Sequence, residues 1–102
     1  MRMFVISDNN DTYVGMRLAG IEGVVVHEYD EIARELNRVV EDEEIGIVLM
    51  TKKLISISRD LVYDIKLNRQ RPLIVEIPDR HGDSSIGDSI TTYIQEAVGI
   101  KI

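Results

Sequence analysis

The sequence has no cysteine and no tryptophan, and it has only two histidines and two prolines. Without cysteine the chain cannot form a disulfide, a thiolate metal site, a cysteine nucleophile or a CxxC redox pair. A zinc site would have to add carboxylates to His27 and His81. The absence of cysteine fits a reducing compartment.

Long hydrophobic runs are also missing. The longest, IGIVLM at 45–50, is far too short to cross a membrane, and the apolar stretch after Arg2 is too short for a secretory signal. We therefore expect a soluble, intracellular protein. A chain of 102 residues is enough for one compact domain that buries about two thirds of its unfolded surface.

Basic residues are scarce and unevenly placed. The net charge is −6, which argues against a general nucleic-acid binder. Residues 1–51 carry 4 basic and 11 acidic side chains, whereas residues 52–80 carry 7 basic and 4 acidic ones. The basic middle is either a solvated helix face or a docking patch for an acidic protein partner.

Four short runs rich in valine and isoleucine recur along the chain, at 3–7, 23–27, 45–50 and 72–78. Unalternated apolar runs of this length are typical of parallel strands that are covered on both faces. Helical periodicity fills the segments between and after them, at 11–20, 29–44, 51–68 and 85–98. Val14, Leu18 and Ile57 are predicted to lie on the inward apolar stripes of these helices. Asp30 and Thr51 are predicted N-caps, and Gly20 is a predicted C-terminal stop.

This alternation predicts an α/β fold with a four-stranded parallel sheet and helices on both faces, in strand order 2-1-3-4. It resembles a truncated receiver or flavodoxin-like fold, followed by a C-terminal amphipathic helix. We predict a receiver-like α/β domain at 1–78, and a hinge with the C-terminal helix at 79–102.

Ligands of such sheets bind beyond the carboxyl ends of the strands. Asp8 and Asp11, after the first strand, are similar to the acidic pair of a phospho-receiver domain. The third strand, however, ends in Met50 and Thr51 instead of an acceptor aspartate, and a fifth strand with its lysine is missing. We therefore interpret Asp8 and Asp11 as a turn and a helix N-cap, and keep a degenerate receiver-like signalling adaptor as the alternative function.

The stretch IPDRHGDSS (77–85) is the other candidate site. Asp79, His81 and Ser84 are the residue types of a hydrolase triad, but no oxyanion-hole motif or GxSxG elbow accompanies them. A structural interpretation is simpler, because Pro78 ends a strand and the residues after Gly82 can cap the next helix. His27 is interpreted as a polar residue and not as a metal ligand.

The last predicted helix carries a broad apolar stripe that includes Ile90 and Ile94, and the chain ends in VGIKI. This stripe either packs back on the sheet or docks on a partner by a helix-in-groove contact. The sequence leaves both arrangements open.

The pattern ISD…T…G…RLAGIEG at 6–23, followed by IPDRHG at 77–82, resembles the F subunit of the V-type and A-type ATPases. The resemblance extends over the whole chain, including the terminal AVGIKI. It implies a receiver fold without receiver chemistry, no cofactor, and a non-catalytic place in the central rotor stalk of an ATP synthase or ion pump.

The resemblance also implies partners. They are the coiled-coil D subunit of the stalk and, through a mobile C-terminal helix, subunits of the catalytic head, where the helix modulates ATP hydrolysis. It places the chain in the cytoplasm, peripheral to the membrane as part of the complex, without nucleic-acid binding or membrane insertion. Contacts with partners are predicted on the hinge and the terminal stripe, at Asp79, Arg80, His81, Ile90 and Ile94.

Overall fold

The structure, a computed structural model, describes residues 1–78. The strands are β1 (Arg2–Ser7), β2 (Glu22–Val25), β3 (Ile45–Thr51) and β4 (Leu73–Ile77). The helices are α1 (Asn10–Leu18), α2 (Tyr29–Glu41), α3 (Lys52–Ile57) and α4 (Arg59–Asn68). The fourth predicted helix, at 85–98, lies outside the described residues.

The four strands form one parallel sheet in the order β2-β1-β3-β4, which confirms the predicted α/β class and strand order. Val5 at the centre is paired with Gly23 of β2 on one side and with Leu49 of β3 on the other. β1 and β3 are the inner strands, and their apolar runs are buried on both faces because helices cover each side.

Each face of the sheet has its own apolar cluster. On one face, the side chains of α2, α3 and α4 pack on the sheet; this cluster contains Phe4, Ile6, Val26, Ile32, Leu36, Val39, Ile45, Val48, Met50, Leu54, Val62, Ile65 and Ile74. On the other face, Met16 of α1 packs with Val5, Ile21, Ile47, Leu49, Val75 and Ile77. α2 buries Ile32, Leu36 and Val39, which agrees with the helical periodicity predicted at 29–44.

α1 ends in a Schellman motif that agrees with the predicted stop at Gly20. Gly20 has a φ of 86°, a conformation that favours glycine. Its N–H donates to the carbonyl of Arg17 at 3.0 Å, and the N–H of Ile21 donates to the carbonyl of Met16 at 2.8 Å. The turn therefore delivers Ile21 to the core at the start of β2.

The single helix predicted at 51–68 is wrong: the structure has two helices that meet at Ser58. This serine is fully buried, and its hydroxyl donates to the carbonyl of Leu54 at 2.7 Å. A hydroxyl that bonds to a carbonyl four residues back competes with the helical ladder and bends the chain. Ile57, predicted on the buried stripe, is 40 % exposed.

Two predicted helix caps are also wrong by two residues. The N-cap of α1 is Asn9, whose side-chain oxygen accepts from the N–H of Thr12 at 2.7 Å, and not Asp11. The N-cap of α2 is Glu28, in a capping box with Glu31, and not Asp30. Across residues 1–78, no helix is long and apolar enough to cross a membrane.

Candidate functional site

The carboxyl edge of the sheet is where this fold class binds ligands, and here it brings Asp8 and Thr51 together. Thr51, the last residue of β3, is 2 % exposed. Its hydroxyl oxygen accepts from the backbone N–H of Asp8 at 3.2 Å, which joins the ends of the two central strands. Thr51 thus stands where a receiver domain would need its acceptor aspartate.

Polar side chains in the turn after β1 form hydrogen bonds to backbone groups of the same turn. The Ser7 hydroxyl donates to the carbonyl of Asn9 at 2.8 Å and accepts from the Asn9 N–H at 3.0 Å. The side chain of Asn9 caps α1, as described above. These bonds fix the direction in which the chain leaves the sheet.

The chemistry available at this edge is limited. A threonine hydroxyl cannot form an acyl-phosphate, and here it accepts a structural hydrogen bond. Within residues 1–78, no group of three or more histidine or acidic side chains is arranged to hold a metal ion. Asp8 and Asp11 therefore lack the third carboxylate that a receiver site requires at the end of β3.

His27 lies just beyond β2 and is exposed. Its backbone N–H donates to a Glu31 carboxylate oxygen at 2.9 Å, and the N–H of Glu28 donates to the same oxygen at 3.0 Å. Both bonds lower the pKa of Glu31 below its ordinary range, and the bond from the His27 N–H has the larger effect. The backbone N–H of His27 therefore helps to fix the first turn of α2.

A cavity of about 260 Å³ lies at the opposite edge of the sheet, between the start of β1 and the turn after α1. Met1, Met3 and Ile21 contribute to its lining, together with Arg2 and Glu22. Arg2 forms an ion pair with Asp42 at 3.5 Å. The cavity gathers no set of groups that resembles catalytic machinery.

The predicted partner contacts Asp79, Arg80, His81, Ile90 and Ile94 lie outside the described residues, and so does the triad candidate Ser84. Within residues 1–78, the surface features that stand out are instead two outward apolar pairs, each spaced four residues apart. Val14 and Leu18 of α1 are 48 % and 85 % exposed, and Tyr63 and Leu67 of α4 are 57 % and 82 % exposed.

The prediction that Val14 and Leu18 face the core is wrong. The buried residues of α1 are Thr12 and Met16, on the opposite side of the helix. A search for apolar periodicity favours Val14 and Leu18, because it does not count the buried threonine. Apolar spacing alone gives a helix here, but it assigns the wrong face.

Polar and charged side chains surround the outward pair of α4. The Tyr29 hydroxyl donates to the Asp60 carboxylate at 2.5 Å, which places the start of α2 beside the first turn of α4. This hydrogen bond raises the pKa of Tyr29 and lowers the pKa of Asp60. Arg59 and Lys66 are exposed on the same helix. No signal in the apolar pattern singles out this surface, because its residues read as an ordinary solvated face.

Comparison with known proteins identifies the family. The model of the ATP synthase (F/14-kDa) subunit family matches residues 3–94. The chain belongs to this family. It is 31% identical over 103 residues to the F subunit of the A-type ATP synthase of Methanocaldococcus jannaschii, covering 100% of this chain and 99% of the relative. It is 32% identical over 107 residues to the F subunit from Pyrococcus abyssi, covering 100% and 98%.

The F subunit of the A-type ATP synthase of Thermococcus kodakarensis is 28% identical over 107 residues, with 100% of this chain and 98% of the relative covered. The similarity therefore extends over nearly the full length of each relative. The resemblance seen in the sequence is confirmed at the level of the family, which is one of ATP synthase subunits.

Proposed function

We propose that the chain is the non-catalytic F subunit of a V-type or A-type ATPase, located in its central rotor stalk. In this role it binds the coiled-coil D subunit and helps to couple ATP hydrolysis or synthesis to ion transport. The observation that carries the proposal is the family match over residues 3–94, together with relatives that are named as F subunits along their full length. Membership of the complex would hold the chain on the cytoplasmic side, peripheral to the membrane.

The geometry of the carboxyl edge supports a non-catalytic role. Thr51 replaces the acceptor aspartate that receiver chemistry needs, and its hydroxyl accepts from the Asp8 N–H. The exposed apolar pairs on α1 and α4 are compatible with binding, because each pair leaves two neighbouring apolar side chains accessible to a partner.

The division into a receiver-like domain at 1–78 and a hinge with a C-terminal helix at 79–102 is part of the proposal. In it, Asp79, Arg80 and His81 contact a partner at the hinge. Ile90 and Ile94 contact a partner by the apolar stripe of the helix, which reaches toward the catalytic head. The apolar spacing of the sequence and the family resemblance support these assignments.

An affinity tag on this chain tests the proposal in its own organism. Solubilised membranes should yield the D subunit and the catalytic-head subunits at stoichiometric levels, with ATP hydrolysis in the purified fraction. A matched preparation from untagged cells is the control for carry-over. Recovery of the tagged chain without any ATPase subunit would contradict the proposal.

The signalling alternative makes a different prediction for small phosphodonors. A receiver would form an acid-stable, base-labile acyl-phosphate when incubated with acetyl phosphate and magnesium. We expect no added phosphate by intact-mass spectrometry, because β3 ends in Thr51. An established receiver domain serves as the positive control, and stoichiometric labelling of this chain would revive the alternative.

A further inference from the structure

We propose that the outer face of α4 binds an acidic, amphipathic helical segment of a partner protein. This α4 patch consists of Arg59, Tyr63, Lys66 and Leu67. The inference rests on the proposed function in one respect: the D subunit, the coiled-coil shaft, is the partner with which it is tested. It goes further by assigning a binding surface to the described part of the chain.

The four residues of the α4 patch share one side of the helix. Tyr63 and Leu67 are one turn apart, and Arg59 and Lys66 are one turn away from Tyr63 in either direction. The opposite side of α4 carries Val62 and Ile65, which are 1 % and 6 % exposed. The helix is therefore held on the sheet by one face, and among residues 1–78 nothing covers its apolar ridge on the other face, which can pack into the groove of another helix.

Charge decides which kind of helix fits the α4 patch. Residues 52–78 carry 6 basic and 3 acidic side chains, in a chain whose first 51 residues carry 4 basic and 11 acidic ones. In the part of the chain that the structure describes, neither Arg59 nor Lys66 forms an ion pair. Both charged side chains of the α4 patch, Arg59 and Lys66, are cations, so the complementary occupant is acidic.

The acidic neighbours of the α4 patch are already engaged. Asp60 accepts a hydrogen bond from the Tyr29 hydroxyl, and Asp64 accepts one from the side-chain amide of Asn68 at 2.8 Å. Tyr29, 39 % exposed, extends the aromatic surface beyond α4. Tyrosine is enriched and leucine and valine are under-represented among the residues that dominate binding energy, which favours the pair that contains Tyr63 over the aliphatic pair of α1.

The first experiment compares two matched double variants of the full chain for binding to the D subunit by titration calorimetry. Y63A/L67A removes the apolar ridge of the α4 patch, and V14A/L18A removes the equivalent pair on α1. We expect the first to weaken binding by at least about tenfold, and the second by less than about threefold. Because all four side chains are about half exposed or more, both variants should keep the wild-type circular dichroism and melting temperature.

The outcomes separate the inference from the function. Wild-type chain that fails to bind the D subunit contradicts the proposed function and the inference with it. Wild-type binding that Y63A/L67A leaves unchanged contradicts the inference alone. Free wild-type chain that dimerises through Tyr63 and Leu67 would overturn the inference by assigning the face to a second copy. The wild-type chain is also tested for binding to phosphatidylglycerol vesicles. If Y63A/L67A abolishes vesicle binding and leaves D-subunit binding unchanged, the face belongs to a membrane and the inference is overturned.

A second experiment tests the charge of the occupant. Carbodiimide joins a lysine amine directly to a neighbouring carboxylate, so the complex with the D subunit should yield a cross-link from Lys66 to an aspartate or glutamate of the partner. K66R is the matched control, since it keeps the positive charge but removes the amine; it should bind normally and lose the cross-link. R59E/K66E should weaken binding by about tenfold or more at low salt. Normal binding by R59E/K66E, or a complex without the Lys66 cross-link, would overturn an acidic occupant.

Discussion

At the scale of single residues, the polar groups inside the domain act as connectors. Ser7 and Ser58 are fully buried, and the hydroxyls of Ser7, Thr51 and Ser58 each bond to a nearby backbone group. Each of these bonds satisfies a backbone group near the end of a strand or helix, where the regular ladder stops. At the carboxyl edge, the Ser7 and Thr51 hydroxyls therefore hold the chain after β1 in place.

Asn9 gives the clearest test at this scale. Replacing it with alanine removes the oxygen that accepts from the Thr12 N–H, and should lower the free energy of unfolding by about 1 kcal/mol. Urea unfolding followed by circular dichroism measures the change. N9D keeps an acceptor oxygen and should cost only a few tenths of that amount. Equal losses for both variants would show that the capping bond is not the source of the effect.

At the scale of elements, the sequence predicts what depends on long apolar runs and misses what depends on single polar residues. The four strands follow from continuous valine- and isoleucine-rich runs, which are typical of doubly covered parallel strands, and their order follows from right-handed crossovers. The break at Ser58 and the inward side of α1 do not follow, because a buried hydroxyl at Ser58 or Thr12 reads as polar and exposed.

The candidate site follows the same rule. Its lack of an acceptor aspartate is visible in the sequence, but the bond from the Asp8 N–H to Thr51 depends on strand register.

Two glycines should respond in opposite ways to alanine. A Cβ at Gly23 would clash with the carbonyl oxygen of Val5, because β2 approaches β1 closely there. G23A should therefore destabilise the domain by about 1–3 kcal/mol. A Cβ at Gly15, inside α1, meets no atom within 4 Å, so G15A should stabilise by about 0.5–1 kcal/mol. Thermal unfolding of the pair measures both changes, and a G23A variant as stable as G15A would refute the close approach.

The start of α2 should make stability depend on pH. The N–H groups of His27 and Glu28 lower the pKa of Glu31 below its ordinary value of 4.5. A carboxyl whose pKa is lower in the folded state contributes stability that is fully present above that ordinary value and is lost as the pH falls through the folded-state pKa. Chemical unfolding between about pH 6 and pH 3 should thus show a larger loss for the wild type than for E31Q. Parallel curves for the two proteins would contradict this explanation.

At the scale of the whole molecule, charge and exposed apolar side chains are both unevenly distributed. The acidic first half and the basic segment that contains α3 and α4 divide the chain into two stretches of opposite net charge. The outward pairs of α1 and α4 lie over opposite faces of the sheet, since α1 packs with one core cluster and α4 with the other. A protein with these features is suited to being held by partners, and a family of ATP synthase subunits is where it belongs.

The most direct test of the central claim is the mass of a mixture of the full chain and the D subunit from the same organism, measured by light scattering after size-exclusion chromatography. We expect a stable one-to-one heterodimer whose mass exceeds that of the D subunit by one copy of the 11.6 kDa chain. Two separate peaks, with this chain running alone at low and moderate salt, would contradict the claim that it is a rotor subunit bound to the shaft.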